Sequence, residues 1–502
     1  MTAPPVGTFC LVLHSHLPWL AHHGRWPVGE EWLYQAWAQS YLPVVEVLRR
    51  LAAEGRRDLL TLSVTPVLAA QLDDPYCLRG MHDWLGGWLL RAQFAAGRAG
   101  MRALAAREYR AATAALDDFE QHWCHGASPV LRELVDARVV EPLSGPLTHP
   151  FQPLLYPQVR AFALAEGLAD TALRIGQRPA GIWAPECGYA AGMEDGYSQA
   201  GVRRFLVDGP ALHGDTAFAH PVGSSDVVCF GRDLKVTYRV WSPSAGYPGD
   251  PAYRDFYTFD HPTGFKPARV TGKRVAGPDK QPYDPGLARE AVGKHVDDFV
   301  MVVHDRLRTL ADRHGRPALI VAGYDTELFG HWWHEGPDWL EGVLRRLPEA
   351  GVGVSTLGGA QECVLGPPVT LPATSWGSGK DWRVWNGEPV ADLVAGNDAV
   401  QRELLDGLPA PGPARDPVAD QAVREALLAL SSDWAFMVSK DTAAGYARHR
   451  AAEHLARTRA LLSGRVGGRV GGRVRGRAGD RLARWHAETP FGGLDARRLR
   501  RR

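Results

Sequence analysis

The chain has 502 residues, a net charge of +1 and 45% hydrophobic residues. This length accommodates a barrel domain of about 250 residues or more with additions. A charge so near zero excludes electrostatic recruitment of nucleic acid to the whole molecule. The six cysteines form no CxxC pair, so we expect no disulfide framework, no zinc knuckle and a cytoplasmic location. No stretch approaches the roughly 20 apolar residues of a membrane span, so no membrane contact is expected.

Short apolar runs that end in polar residues alternate with helical patterns over most of the chain. The first run, Thr8 to Leu13, is followed by a helical segment and by a second run that ends at Val64. This alternation predicts a parallel α/β barrel with functional groups at the carboxyl ends of its strands. The groups at these ends are His14 and His16, Thr148 and His149, Trp183 and Glu186, Asp208, and Asp325.

The most informative stretch is the apolar run Ala318 to Ala322, which is followed at once by Asp325 and a cluster of His and Trp residues. A second carboxylate, Glu186, stands beside a Trp at another predicted strand end. Taken alone, either acid is explained better as a helix cap than as a catalytic group. Two carboxylates on separate strand ends among aromatic side chains indicate glycoside chemistry, in which one protonates the leaving oxygen and the other attacks or stabilises the sugar cation.

His14 and His16 leave three interpretations open. Imidazoles two residues apart on a strand point to the same side and can ligate a metal, with His149 or Asp325 as a third ligand. They can also bind sugar hydroxyls, or be structural. The carboxylates at Glu186 and Asp325 favour sugar contact.

The remainder of the chain predicts attachments to the barrel. Residues 208–232 and 242–286 are rich in Gly, Pro, Asp and His, which is typical of long loops or a small insert. The pattern then turns helical, and Asp416 before Pro417 is a helix start signal. We predict a barrel over 1–395 with an insert near 190–240, a helical domain over 396–463, and a disordered Gly/Arg-rich tail over 464–502.

Five stretches together resemble the five sequence regions of glycoside hydrolase family 57. They occur in the family's order and span residues 14 to 434: His14-Ser-His16-Leu-Pro18, Thr148-His149, Trp183-Ala-Pro-Glu186-Cys-Gly188, Tyr324-Asp325-Thr-Glu327-Leu-Phe-Gly-His331-Trp332-Trp333, and Ser432-Asp433-Trp434. The resemblance implies a distorted (β/α)7 barrel, a helical domain that completes the cleft, and a retaining mechanism on α-glucans. It also implies that Glu186 is the nucleophile, that Asp325 is the general acid/base, and that no metal or other cofactor is needed.

Within the family the chain is most similar to the 1,4-α-glucan branching enzymes. The α-1,4-glucan would then be both donor and acceptor, and we expect a monomer. We also expect the pKa of Asp325 to lie above that of Glu186, since one must start protonated and the other ionised. The substrate contacts implied by the resemblance are His14, His16, His149, Trp183, Trp241, His331, Trp332, Trp376, Trp385, Asp433 and Trp434.

One departure keeps other activities open. Branching members carry a loop tyrosine after the nucleophile that shields the intermediate from water, but no tyrosine lies between Tyr197 and Tyr238. Phe218 and His220 are the bulky candidates there, so we expect more hydrolysis than in relatives with the tyrosine. The alternatives are an α-amylase-type hydrolase or 4-α-glucanotransferase of the same family, a metal-dependent deacetylase-like enzyme, and a non-catalytic glucan-binding protein.

Overall fold

A closed parallel barrel forms the body of the molecule. The structure, a computed structural model, describes residues 5–242, 245–362, 364–466 and 490–500. Seven parallel strands close in the order β1-β2-β3-β4-β5-β7-β8 and back to β1, which confirms the predicted distorted (β/α)7 barrel. In addition, β6 runs antiparallel to β7, and β9 lies parallel to β1. The strands are β1 (Gly7–Ser15), β2 (Leu60–Val64), β3 (Val140–Ser144), β4 (Gly181–Ile182), β5 (Arg204–Asp208), β6 (His220–Pro221), β7 (Val228–Arg232), β8 (Ala318–Asp325) and β9 (Gly353–Val354).

Helices cover the barrel and form the region that follows it. A π-helical turn, Trp37–Tyr41, joins the first two of them, and α4 and α5 pack against each other. The helices are α1 (Glu30–Ala36), α2 (Leu42–Ala53), α3 (Pro66–Leu72), α4 (Pro75–Ala96), α5 (Arg102–Asp118), α6 (Ala127–Asp136), α7 (Pro157–Ile175), α8 (Met193–Gln199), α9 (Leu234–Val240), α10 (Pro285–His314), α11 (Gly336–Glu349), α12 (Leu357–Gln361), α13 (Arg383–Asn386), α14 (Ala391–Gly407), α15 (Pro417–Ala429), α16 (Ser432–Ser439), α17 (Ala444–Val466) and α18 (Arg497–Arg500).

The neighbouring strands β1 and β8 set the geometry of the catalytic end. Both are apolar and buried almost throughout, as expected for parallel strands covered on both faces. Their register pairs Gly7 with Ala318 and runs without a break to His14 opposite Asp325. Two motifs more than 300 residues apart in sequence therefore meet at one end of the barrel.

The predicted insert near residues 190–240 is wrong in its position. That region contains the barrel strands β5 and β7, with only the two-residue β6 added. The apolar part of β7 is short and is surrounded by Gly, Pro and Asp residues, so the sequence pattern did not indicate a strand there. A long irregular segment does lie at 245–284, within the stretch 242–286 that the composition indicated. There Arg254 forms an ion pair with Glu108 of α5 and the Tyr253 hydroxyl contacts His295 of α10.

The helical domain begins before the predicted boundary at 396, because α14 already starts at Ala391. Its α15 starts where the sequence indicated. The Asp416 carboxylate accepts hydrogen bonds from the backbone N–H groups of Val418 and Ala419, at 3.0 and 3.2 Å. These bonds satisfy two of the unpaired donors at the helix start.

The prediction of a disordered tail over 464–502 is wrong for residues 490–500. Phe491, Leu494 and Leu499 are buried there. The buried Arg424 of α15 donates to the carbonyl oxygens of Pro490 and Phe491, at 2.7 and 3.3 Å. The Arg-rich composition of this segment predicts disorder, but the apolar residues within it are buried. The parts of the predicted tail at 467–489 and 501–502 lie outside the described residues.

Removing residues 490–502 should lower the apparent melting temperature much more than removing Arg501 and Arg502 alone. The shorter chain loses the buried apolar residues and leaves the Arg424 guanidinium without its carbonyl partners. Leu499→Ala alone should lower the free energy of unfolding by about 2–5 kcal/mol, which is part of the effect of the deletion. Thermal unfolding checks this, with the exposed Leu90→Ala as the control. Equal melting temperatures for all variants would show that the segment adds no stability.

Candidate functional site

Glu186 occupies the centre of the catalytic end in a strained backbone conformation. Its φ of 62° and ψ of 17° are unusual for a residue with a side chain. The carboxylate accepts one hydrogen bond from Trp376 Nε1 at 2.7 Å and another from Ser432 Oγ at 2.8 Å. The Glu186 carbonyl oxygen also accepts from the Trp376 backbone N–H at 2.8 Å. The barrel and the helical domain thus hold one buried carboxylate between them.

Asp325 ends β8 and is partly buried opposite His14. Burial raises the pKa of Asp325 to about 6, and the charges of Arg232 and His16 oppose the rise. Burial also raises the pKa of Glu186, to about 7, against the hydrogen bonds from Ser432 and Trp376. Burial raises both pKa values to a similar level, and the Asp433 charge adds to the rise for Glu186, so the expected order of the two values stays a prediction.

The three predicted histidines form a stack beside the two acids. The rings of His16 and His149 lie 3.8 Å apart between centroids, and those of His14 and His149 lie 5.0 Å apart. His14 also stacks on Trp183 at 4.4 Å. Burial lowers the pKa values of His14 and His149, and the neighbouring imidazoles add to that effect. Both are therefore neutral rings with hydrogen-bonding nitrogens.

His16 differs from its two neighbours because it pairs with an acid of the helical domain. Its Nε2 lies 2.9 Å from Asp433 Oδ2, and its Nδ1 lies 3.0 Å from Thr65 Oγ1. Burial opposes both charges, but their attraction outweighs it: the pKa of His16 is raised and that of Asp433 is lowered. Since both ring nitrogens are engaged, His16 is poorly suited to the metal-ligand interpretation. Within the described residues, no group of three His, Cys, Asp or Glu side chains is arranged to hold a metal ion.

The predicted aromatic contacts divide into exposed and buried rings. Trp241 is 44% exposed and stacks on Trp332, with centroids 5.7 Å apart. Trp376 is partly exposed and meets Trp183 edge-on at 5.1 Å. His331 Nδ1 lies 3.0 Å from Gln39 Oε1. These rings form part of the walls of the catalytic end.

Trp385 and Trp434 are each 2% exposed. Trp385 stacks on Phe151 at 4.8 Å, so it supports the wall from behind. Trp434 Nε1 donates to the Leu428 carbonyl oxygen at 2.9 Å, inside the helical domain. Trp434 is therefore a packed residue of the helical domain, and its expected contact with the substrate stays a prediction. Its ring anchors the helix that presents Ser432 and Asp433.

Sequence reasoning missed several polar groups of the site. Arg232 at the end of β7 lies with its guanidinium carbon 5.0 Å from the Trp376 ring centroid. Lys380 Nζ lies 2.6 Å from the fully buried Asp208 at the end of β5 and donates to the Trp376 carbonyl oxygen at 3.0 Å. The signal for Arg232 was the same as for Asp325, a charged residue after an apolar run. The Lys380 contact had no local signal, because its partner lies 172 residues away.

The expectation that Phe218 or His220 covers the site is also wrong. Phe218 packs against Arg316, which precedes β8 at its amino end, so it lies at the opposite end of the barrel. His220 contacts the Pro367 carbonyl oxygen in the same region. Tyr238, the next tyrosine along the chain, follows the carboxyl end of β7. It lies on α9, is 42% exposed, and has Lys380 Nζ 6.0 Å from its ring centroid.

A closed parallel barrel with two buried acids, stacked imidazoles and exposed indoles at its carboxyl end defines a carbohydrate-active class of enzyme. Comparison with known proteins specifies the family. Residues 10–360 match the model of glycosyl hydrolase family 57, and residues 399–496 match that of the 1,4-alpha-glucan branching enzyme C-terminal domain. The chain belongs to glycosyl hydrolase family 57.

Three known proteins illustrate the relationship. A probable 1,4-alpha-glucan branching enzyme of Mycobacterium tuberculosis is 56% identical over 533 aligned positions, covering 99% of both chains. The crystal structure of a branching enzyme of the family from Thermococcus kodakaraensis, in complex with glucose and additives, has a TM-score of 0.91 at 29% identity, covering 98% of this chain and 96% of that one. The structure of an alpha-amylase from Thermotoga maritima has a TM-score of 0.85 at 26% identity, covering 98% and 99%.

In the described part of the chain, each helix is too short or too polar to cross a bilayer.

Ser432→Ala should raise the pKa of Glu186 above about 7, because the lost hydrogen bond favours the ionised carboxylate. If Glu186 acts when ionised, activity is lost as pH falls through this pKa, so the acid limb of kcat/KM should move to higher pH. Ser439→Ala is the matched control. Ser439 lies at the end of the same helix and donates to the Val384 carbonyl oxygen instead. An acid limb that moves equally in both variants would assign the effect to the helix rather than to the hydrogen bond.

Proposed function

We propose that this protein is a retaining 1,4-α-glucan branching enzyme with Glu186 as nucleophile and Asp325 as general acid/base. The observation that carries the assignment is the buried Glu186 carboxylate, fixed by Trp376 Nε1 and Ser432 Oγ. Two donors aimed at one carboxylate restrain its rotation, as an attacking oxygen requires. The branching activity of similar chains, one of them 56% identical, supports the reaction type.

The first step cleaves an α-1,4 bond. Glu186 attacks the anomeric carbon while Asp325 gives its proton to the leaving glycosidic oxygen. In the second step Asp325 takes the proton of a glucan 6-hydroxyl, whose oxygen displaces Glu186 and forms the α-1,6 bond. Two inversions retain the anomeric configuration. The scheme uses the side chains of this chain alone and needs no cofactor.

The first step needs Glu186 ionised and Asp325 protonated, and burial raises the pKa of both groups, to about 7 and about 6. A bound glucan that excludes water from Asp325 would raise the pKa of that carboxyl further, since desolvation disfavours its charged form. The donors Ser432 and Trp376 keep stabilising Glu186 as the ionised partner.

Transfer rather than hydrolysis requires that water be kept from the glycosyl-enzyme. The exposed indole of Trp241 and the partly exposed indoles of Trp332 and Trp376 offer flat apolar surfaces on which sugar rings stack. We propose that Tyr238, which is 42% exposed and has Lys380 Nζ 6.0 Å from its ring centroid, takes the shielding role in place of the missing loop tyrosine. Hydrolysis stays the second candidate because the similar Thermotoga maritima structure is that of an alpha-amylase.

The natural substrate, the location and the assembly state are further parts of the proposal. We infer a glycogen- or amylose-like α-1,4-glucan as donor and acceptor. A cytoplasmic location is supported by the cysteines of the described chain, which are free thiols: Cys10, Cys77, Cys124, Cys187 and Cys229. A monomer stays a prediction.

Glu186→Gln and Asp325→Asn should each reduce branching of amylose by at least about a thousandfold with the fold intact, because each step needs both groups. New α-1,6 linkages measured by proton NMR, beside the melting temperature, check this. Asp305→Asn, an acid with 71% of its side chain exposed, is the control. Substantial branching by either site variant would overturn the residue assignment.

Tyr238→Ala should raise the number of reducing ends released per α-1,6 linkage formed, because water then competes better for the same intermediate. Phe218→Tyr should leave this ratio unchanged, since Phe218 lies at the other end of the barrel. Both products are measured on amylose. Reducing ends without α-1,6 linkages in the unmodified protein would identify a hydrolase.

A further inference from the structure

The π-helical turn Trp37–Tyr41 between α1 and α2 is packed against the turn that follows Asp325. Its extra residue per turn is visible in the bond from the Leu42 N–H to the Trp37 carbonyl oxygen. π-Helical turns are rare and occur often at functional sites. Here the turn brings three consecutive side chains onto one short segment, residues 326–331, which we call the acid turn.

Each of the three consecutive residues makes a different polar contact with the acid turn. Ser40 Oγ donates to the Thr326 carbonyl oxygen at 2.6 Å. The Tyr41 hydroxyl donates to Glu327 Oε1. Gln39 Oε1 lies 3.0 Å from His331 Nδ1. The contacts therefore hold the first two residues and the last residue of the acid turn.

The backbone of the acid turn is fitted to the π-helical turn as closely as the side chains are. Gly330 has a φ of 104°, and a Cβ built on it would lie 1.8 Å from the Gln39 carbonyl oxygen. No side chain is compatible with that approach. The two turns are therefore in contact at both the start and the end of the acid turn.

Glu327 connects this contact to the catalytic groups. Its Oε1 accepts from Tyr41 and also from the His16 backbone N–H, at 3.1 Å. The residue lies two positions after Asp325 and is 3% exposed. Burial, together with the Asp325 charge, raises the pKa of Glu327 to about 8. At neutral pH it is therefore mostly protonated and adds little negative charge beside Asp325.

We propose that Tyr41 and Glu327 are positioning residues that hold Asp325 in place for proton transfer to the leaving oxygen. The inference rests on the proposed role of Asp325. Tyr41 restrains Glu327, Glu327 ties the acid turn to β1 through the His16 N–H, and Ser40 fixes the first residue after the acid. A proton is transferred efficiently only over hydrogen-bonding distance, so a displacement of about 1 Å costs up to a hundredfold in rate.

The test compares two leaving groups in Tyr41→Phe and Glu327→Ala. Cleavage of a maltooligosaccharide needs the Asp325 proton, whereas fluoride leaves α-maltoheptaosyl fluoride without it. We expect kcat on the maltooligosaccharide to fall at least tenfold with KM nearly unchanged. The initial rate of fluoride release, which reports formation of the glycosyl-enzyme, should fall less than threefold. Glu327→Gln should retain most activity, because its amide oxygen can accept both hydrogen bonds.

Two controls separate the possible failures. Tyr197→Phe removes another buried hydroxyl, which donates to Gln152 Oε1 at 2.7 Å and does not contact the acid turn; it should leave both rates unchanged. Asp325→Asn should itself show the leaving-group dependence, and its absence would overturn the role of Asp325. Asp325→Asn can show the leaving-group dependence while Tyr41→Phe and Glu327→Ala lose both activities to the same extent, or keep both. In that case the positioning proposal is wrong and the role of Asp325 stands.

Discussion

The buried carboxylate of Glu186 is the constraint on which the rest of the structure depends. A desolvated carboxylate is costly unless hydrogen bonds compensate for the lost water. Here one donor, Trp376 Nε1, comes from the segment after the barrel, and the other, Ser432 Oγ, comes from the helical domain. The site is complete only when both parts of the chain are in place. This explains why a helical domain packs on the catalytic end of the barrel.

Further contacts hold the two domains in the arrangement that this carboxylate requires. The Thr148 hydroxyl donates to the Leu427 carbonyl oxygen at 2.6 Å, and the Ser432 N–H donates to the His149 carbonyl oxygen at 3.1 Å. His16 pairs with Asp433 across the same boundary. Since His149 and His16 also line the site, the contacts that dock the helical domain are the ones that order the histidine stack. The same contacts therefore dock the helical domain and fix the geometry of the site.

The barrel and its strand-end groups could be predicted from the sequence because their causes are local. Buried parallel strands give apolar runs such as Ala318 to Ala322, and a polar residue after such a run marks the functional end. Contacts such as Lys380 with Asp208 or Tyr41 with Glu327 depend on how distant segments meet, and no local pattern encodes them. The burial of Trp434 could not be predicted either, since a motif position does not reveal whether a ring faces the cleft or the core. Residues 490–500 were misjudged because composition outweighed three buried apolar side chains.

The central claim is that Glu186 becomes covalently linked to the glucan chain during transfer. Treating Asp325→Asn with α-maltoheptaosyl fluoride tests it most directly, because fluoride departs without an acid while the second step lacks its base. The intermediate should accumulate. Peptide mass spectrometry should then find one maltoheptaosyl group on the peptide containing Glu186, and none when Glu186→Gln is added. A label on a different residue, or fluoride release with no labelled peptide at any time, would contradict the account.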